Sequence, residues 1–195
     1  GPEVLLLDEP LSALDARLRE RLRVTIRDIQ QDLDITTVYV THDQAEALAI
    51  SDRVAVVNDG RIEQVDTPEM VYRKPASRFV AEFVGENNLF RGDVRSTTPP
   101  RASVNGVDVN LPETASVTAG ETVLFAVRPE SIRLDGGETT LTARVENCEF
   151  LGDAYRVHCT WNDQSILVKA DSRNPPDRTV ELGINADDIH LLTGK

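Results

Sequence analysis

The sequence predicts an α/β segment followed by an all-β segment, and three observations lead there. The apolar run Val4–Leu7 gives way to Leu14, Leu18, Leu22, Ile26 and Ile29, which recur at helical spacing. A second strand-like run, residues 36–41, is again followed by a helical stretch, residues 44–50. Beyond Gly85 the helical period disappears, and short strand-like runs alternate with turn pairs such as Asn105-Gly106, Gly136-Gly137 and Gly152-Asp153.

Each element has a local reason. Val4–Leu7 is apolar throughout, which predicts a strand buried on both faces. The periodic residues predict a helix from about Leu11 to Leu33, whose Arg17, Arg19, Arg21 and Arg23 read as a solvated face. Residues 36–41 predict a second buried strand, and residues 44–50 a short helix. Residues 53–58 and 61–65 flank Asp59-Gly60, a hairpin signal. Pro68 suits the first turn of a helix, and residues 77–84 predict another with Phe79, Val80, Phe83 and Val84 on its apolar face. Strands are expected over 89–94, 102–111, 121–127, 141–150, 155–160 and 166–170, with weaker signals near Val180 and Ile189. Such a series suits a small β-barrel or sandwich. The change of character places a domain boundary near residues 85–88, giving segments 1–85 and 86–195.

Composition narrows the function. No apolar run approaches the ~20 residues that a membrane-spanning helix needs, and Gly1-Pro2-Glu3 is not a signal-peptide start. The missing initiator Met leads to the expectation of a fragment. A net charge of −12 over 195 residues opposes nucleic acid as a partner. Eighteen Arg against three Lys, with abundant Asp, resembles the surface of a salt-adapted protein. Cys148 and Cys159 lack metal-type clustering and read as two reduced thiols.

Asp8-Glu9 at the end of the first strand is the most informative pair. Two adjacent carboxylates beside buried apolar sequence are costly unless matched to a cation or a reaction. Open α/β sheets bind ligands at the carboxyl ends of their strands, where this pair lies.

Its neighbours make the pair specific. Residues 5–15, Leu-Leu-Leu-Asp-Glu-Pro-Leu-Ser-Ala-Leu-Asp, resemble the Walker B motif and D-loop of ABC-type ATPases. Val40-Thr41-His42-Asp43 resembles their switch-histidine loop, and Ser51-Asp52-Arg53-Val54 with Asn58-Asp59-Gly60-Arg61-Ile62 fits the strands that follow. The resemblance implies a partial P-loop NTPase (RecA-like) sheet, with ATP and Mg²⁺ as cofactors. Asp8 would hold Mg²⁺ through water, as a hard cation that keeps part of its hydration shell requires. Glu9 would act as general base on the attacking water, and His42 would approach the γ-phosphate. Ser12 and Asp15 fall at nucleotide-site positions, Asp15 being the D-loop aspartate that couples two ATPase subunits.

Parts of that family pattern are absent from this sequence. It has no Gly-x-x-x-x-Gly-Lys-Ser/Thr loop, no Ser-Gly-Gly-Gln signature and no Q-loop. The family's phosphate-loop strand lies between the strands that correspond to residues 36–41 and 53–58, so a gap in the sheet is expected. The chain alone is expected neither to bind ATP tightly nor to hydrolyse it.

The second segment extends the resemblance. Residues 79–89, Val127-Arg128-Pro129-Glu130-Ser131-Ile132-Arg133-Leu134, residues 149–153 and residues 187–192 resemble importer ATPases with a C-terminal TOBE-type, oligonucleotide-binding-fold (OB) regulatory domain. By itself the Arg128–Glu130 stretch reads as a surface turn about Pro129. Asp66 stands where the family often has glycine. His158 and His190 lack metal-ligand spacing, and Trp161 reads as a packed aromatic at a hairpin end. The implied protein is the ATP-hydrolysing subunit of an importer at the cytoplasmic face of the cell membrane. Its partners are integral membrane permease subunits, a second ATPase subunit and, indirectly, an extracytoplasmic substrate-binding protein. Two other readings stand beside it: a non-transport ABC ATPase in DNA repair or translation, and a stand-alone OB-type binding or regulatory module. Residues 85–88 lean towards polyamine, iron or inorganic-ion cargo over sugars.

Overall fold

A computed structural model describes residues 4–33, 35–171 and 176–192. The chain divides into two compact units, residues 1–76 and 77–195.

In the first unit, β1 (Val4–Asp8) pairs in parallel with β2 (Thr36–Val40), and α1 (Ala16–Leu33) forms the crossover between them. A turn occupies residues 9–15, so α1 begins later than the apolar spacing predicts. Asp15 fixes that start, because its Oδ1 accepts the Leu18 backbone N–H at 3.0 Å. Helix α2 (Gln44–Ile50) follows, capped by Asp43. Next come β3 (Val54–Asn58) and β4 (Arg61–Asp66), an antiparallel hairpin. Asp59 and Gly60 at its tip both have positive φ, 46° and 72°, as a two-residue type I′ turn demands. Thr67 caps α3 (Pro68–Arg73), with Pro68 in the first turn as expected.

Two expectations for this unit fail. Neither β1 nor β2 is buried: Leu6 is 73% exposed, and Val4, Val38 and Val40 are exposed as well. A parallel sheet buries both faces only when helices cover both, and two strands with one crossover helix leave apolar surface open. The arginines of α1 are not uniformly solvated either. Arg19, Arg23 and Arg27 form a half-buried stripe that bonds residues 43–52, whereas Arg17 and Arg21 are exposed. The β1–β2 and β3–β4 pairs form separate ladders among the described residues, so β2 and β3 are not neighbours in one sheet.

The second unit opens with α4 (Arg78–Phe83), capped by Ser77 and followed by Gly85 at φ 71°. This helix belongs with the strands after it, since Ala81 packs with Ala126 and Leu192. Val80 and Val84 are buried as predicted, but Phe83 is 43% exposed and stacks on Phe79.

Nine strands follow among the described residues: β5 (Asn88–Thr97), β6 (Pro100–Val104), β7 (Val107–Asn110), β8 (Thr122–Val127), β9 (Thr139–Phe150), β10 (Tyr155–Trp161), β11 (Gln164–Ala170), β12 (Thr179–Ile184) and β13 (Ile189–Leu191). They form a five-stranded sheet, β13-β8-β5-β6-β7, and a four-stranded sheet, β11-β10-β9-β12. One core serves both sheets, with Phe90 stacked on Phe125 at 5.4 Å and Trp161, Leu141, Ile166 and Leu182 buried around them. This is the expected OB-type β-rich domain. Gly183 is required sterically, because a Cβ there would meet the Gly136 carbonyl at 2.0 Å.

Candidate functional site

The site lies where β1 and β2 end side by side. Asp8 is opposite Val40 in the parallel register, and the Glu9 N–H still donates to the Val40 carbonyl at 2.8 Å. Glu9 then adopts φ 43°, a left-handed conformation that a glutamate rarely takes. The kink ends the strand and turns the chain into residues 10–15. Ser12 holds it from the other side, donating both its N–H (3.3 Å) and its hydroxyl (3.0 Å) to the Glu9 carbonyl. Leu11 in the same turn is buried, 2% exposed.

Glu9 and His42 meet: His42 Nδ1 lies 3.1 Å from Glu9 Oε1, with both side chains substantially exposed. Asp8 presents an exposed carboxylate at the same strand end. Ser12 contributes to the turn, and Asp15 caps α1. Among the described residues no group of three or more His, Cys, Asp and Glu is placed to hold a metal ion. The exposed Asp8 carboxylate is an oxygen donor of the kind a hard cation takes alongside water and phosphate oxygens.

Below the exposed pair lies a polar network that the sequence reading did not single out. Glu46 is 2% exposed and accepts from Tyr39 Oη (3.0 Å) and Thr41 Oγ1 (2.9 Å). Burial, followed by this hydrogen bond to Glu46, pushes the Tyr39 phenol above its ordinary range, so its proton stays in place. Arg19 donates from Nη1 to Asp43 Oδ2 (3.0 Å) and from Nη2 to the Leu14 carbonyl (3.1 Å). Its buried Nε stands 3.6 Å from Glu46 Oε1, within ion-pair range but without a hydrogen bond. Helical spacing of Arg19, Arg23 and Arg27 was the available signal for this stripe.

In the second unit, Arg128 is not a surface-turn residue. It is 8% exposed, and Nη1 donates to the carbonyls of Val84 (2.8 Å) and Glu86 (2.9 Å). Asn88 is also buried, donating to the carbonyls of Val127 and Leu167 and accepting the Leu167 N–H at 2.7 Å. Glu86 pairs with Arg156 at 3.0 Å. Glu86 and Asn88 thus fasten the entry strand of the β-rich domain, which gives the 85–88 junction a structural role. Trp161 is packed as expected, and His158 lies 3.7 Å from Glu149. The described part contains no helix long and apolar enough to cross a membrane.

Residues 125–192 match the family model of the TOBE domain. Across 98% of its length the chain is 43% identical to the Fe(3+) ions import ATP-binding protein FbpC of Photobacterium profundum, covering 55% of that protein. It is 45% identical over 78% of its length to the spermidine/putrescine import ATP-binding protein PotA of Pseudomonas aeruginosa, covering 44% of it. Over most of its length the chain is thus similar to import ATP-binding proteins, and over residues 125–192 to the TOBE domain. More particularly, relatives named for Fe(3+) and for spermidine/putrescine import both match it at similar identity. The chain spans about half the length of the curated relatives it matches. Among solved structures, the cytoplasmic molybdate-binding protein ModG aligns with 55% of this chain and 96% of its own, at a TM-score of 0.47 and 15% identity. That likeness is too distant to bear on fold or ligand.

Proposed function

We propose that the chain supplies the Walker B, D-loop and switch-histidine part of an importer's ATP-binding subunit, together with its TOBE-type accessory domain. Residues 1–76 form part of a P-loop NTPase (RecA-like) domain, and residues 77–195, α4 included, the OB-fold regulatory domain. The observation that carries this reading is the Glu9–His42 pair, 3.1 Å apart at the ends of two adjacent parallel strands. The separation of the β1–β2 and β3–β4 ladders supports it too, since a phosphate-loop strand would lie between them.

Mg²⁺ held by Asp8 and nucleotide phosphates would neutralise charge on the transferring phosphoryl group. Glu9 would orient the attacking water and take its proton as general base. His42 holds Glu9 through Nδ1, and as an imidazolium it would also donate from Nε2 to the phosphate oxygens. Ser12 fixes the Glu9 carbonyl, and Asp15 meets the second ATPase subunit across the shared interface. The subunit works at the cytoplasmic face of the membrane, bound to integral permease subunits. An extracytoplasmic binding protein delivers the cargo. The relatives' names favour a ferric-iron or polyamine cargo.

Glu9→Gln in the complete importer should lower ATP turnover by about 10²-fold or more, the usual worth of a general base, while ATP binding persists. Turnover within twofold of wild type would sink the assignment. The chain by itself should bind ATP weakly, because it has no phosphate-cradling Lys loop. Micromolar ATP affinity by calorimetry would contradict that.

A further inference from the structure

Glu9 and His42 are matched at 3.1 Å, yet neither is held by burial, with side chains 48% and 71% exposed. Two exposed side chains on separate loops keep such a distance only if the loops themselves are fixed from beneath. The fixing groups converge on two residues. On one side of His42, the Thr41 hydroxyl donates to Glu46 Oε2 and accepts the Asp43 N–H at 3.0 Å. On the other side, Asp43 Oδ1 caps α2 through the Glu46 N–H, while Oδ2 takes Arg19 Nη1. The same guanidinium reaches back through Nη2 to the Leu14 carbonyl, in the turn that begins at Glu9.

We propose that Arg19, backed by Glu46, is a positioning residue that brackets the Glu9 turn to the His42 loop and so sets the Glu9–His42 contact. This rests on the proposed ATPase function only for its catalytic consequence. The fork geometry of the guanidinium is essential to the bracket. Its nitrogens address acceptors on two different segments at once, which the single ammonium of lysine does not reproduce. Arg23 and Arg27, on the same stripe, donate instead to the carbonyls of Ala45 and Ile50 in α2. They are the natural controls.

The test uses the ¹⁵N-histidine-labelled chain, with long-range ¹H–¹⁵N spectra recorded on neutral imidazole and His42 assigned by His42→Gln. The wild type should show the Nδ1–H tautomer of His42 that donates to Glu9. Arg19→Lys and Glu46→Gln should both shift His42 towards Nε2–H, with circular dichroism confirming the fold, whereas Arg23→Gln should not. Arg19→Lys retains the charge of a partly exposed side chain, so it stays informative if Glu46→Gln unfolds. A merely structural role would lower the melting temperature and leave the tautomer alone. An unchanged tautomer in folded Arg19→Lys overturns the proposal, as does a wild-type His42 in the Nε2–H form.

In the complete importer, Arg19→Lys should reduce kcat for ATP by about 10- to 100-fold, the scale of a small misplacement, with KM within twofold. If the tautomer shifts but the wild-type importer turns over no ATP, the ATPase reading fails and the bracket stands. If wild-type turnover is present and Arg19→Lys changes neither kcat nor tautomer, the bracket fails and the reading stands.

Discussion

Removing the Asp15 carboxylate should cost about 1 kcal/mol of stability, because Asp15→Ala deletes the acceptor for the Leu18 N–H at the start of α1. Asp15→Asn keeps a capping oxygen and should be nearly neutral in urea denaturation. Equal losses for the two variants would mean that the cap is not what Asp15 contributes to the chain. The comparison also separates capping from a role at a subunit interface, since Asp15→Asn removes the charge and spares the helix. Asp8, Glu9 and His42 stood out in the sequence because of their residue types and order, and the structure brings Glu9 and His42 together. The Glu9 kink, Arg19 and Glu46 were not legible in the sequence. A left-handed glutamate has no composition signal, and Arg19 looks like its exposed neighbours Arg17 and Arg21 until α2 is in place.

The elements of the β-rich domain were legible to within a few residues, because Asn-Gly, Gly-Asp and Asn-Asp pairs punctuate them. Asn162 and Asp163 both take positive φ between β10 and β11, as a two-residue hairpin requires. One long run, residues 102–111, is in fact two strands folded at Asn105-Gly106. Burial was harder to read, because apolarity alone does not say whether a covering layer is present. That is why β1 and β2 were expected inside. In β10, alternation does bury a face, and Cys159 is 1% exposed there. Burial pushes its thiol from an ordinary 9.0 up to about 11, with nearby Cys148 and Glu146 adding to the effect. The folded form therefore retains a proton that the unfolded chain releases first. Cys159 contributes stability below pH 9 that is lost progressively as pH rises towards 11. Urea midpoints for wild type and Cys159→Ala should converge over that window. Parallel pH curves for the two would refute the assignment.

For the whole molecule, 33 acidic against 21 basic residues leave a net charge of −12. Exposed pairs such as Arg78–Glu82 and Arg73–Glu69 offset little of the self-repulsion. Raising salt from 0.1 to 1 M shortens the screening length from about 10 to about 3 Å, so the melting temperature should rise with KCl. A flat or falling melting temperature in scanning calorimetry would remove the salt-adaptation reading.

The buried Asn88 has a consequence in time. Its side chain closes the entry of the β-rich domain by bonding Leu167, 79 residues further on. At about 5–20 residues per second, synthesis leaves that clasp without its partner for roughly 4–16 s after Asn88 is made. The strands that flank Asn88 cannot lock until most of the domain has emerged. A nascent chain of this protein therefore passes through a stage in which the entry strand of the β-rich domain is made but unclasped, and a holding chaperone would have the most to grip there.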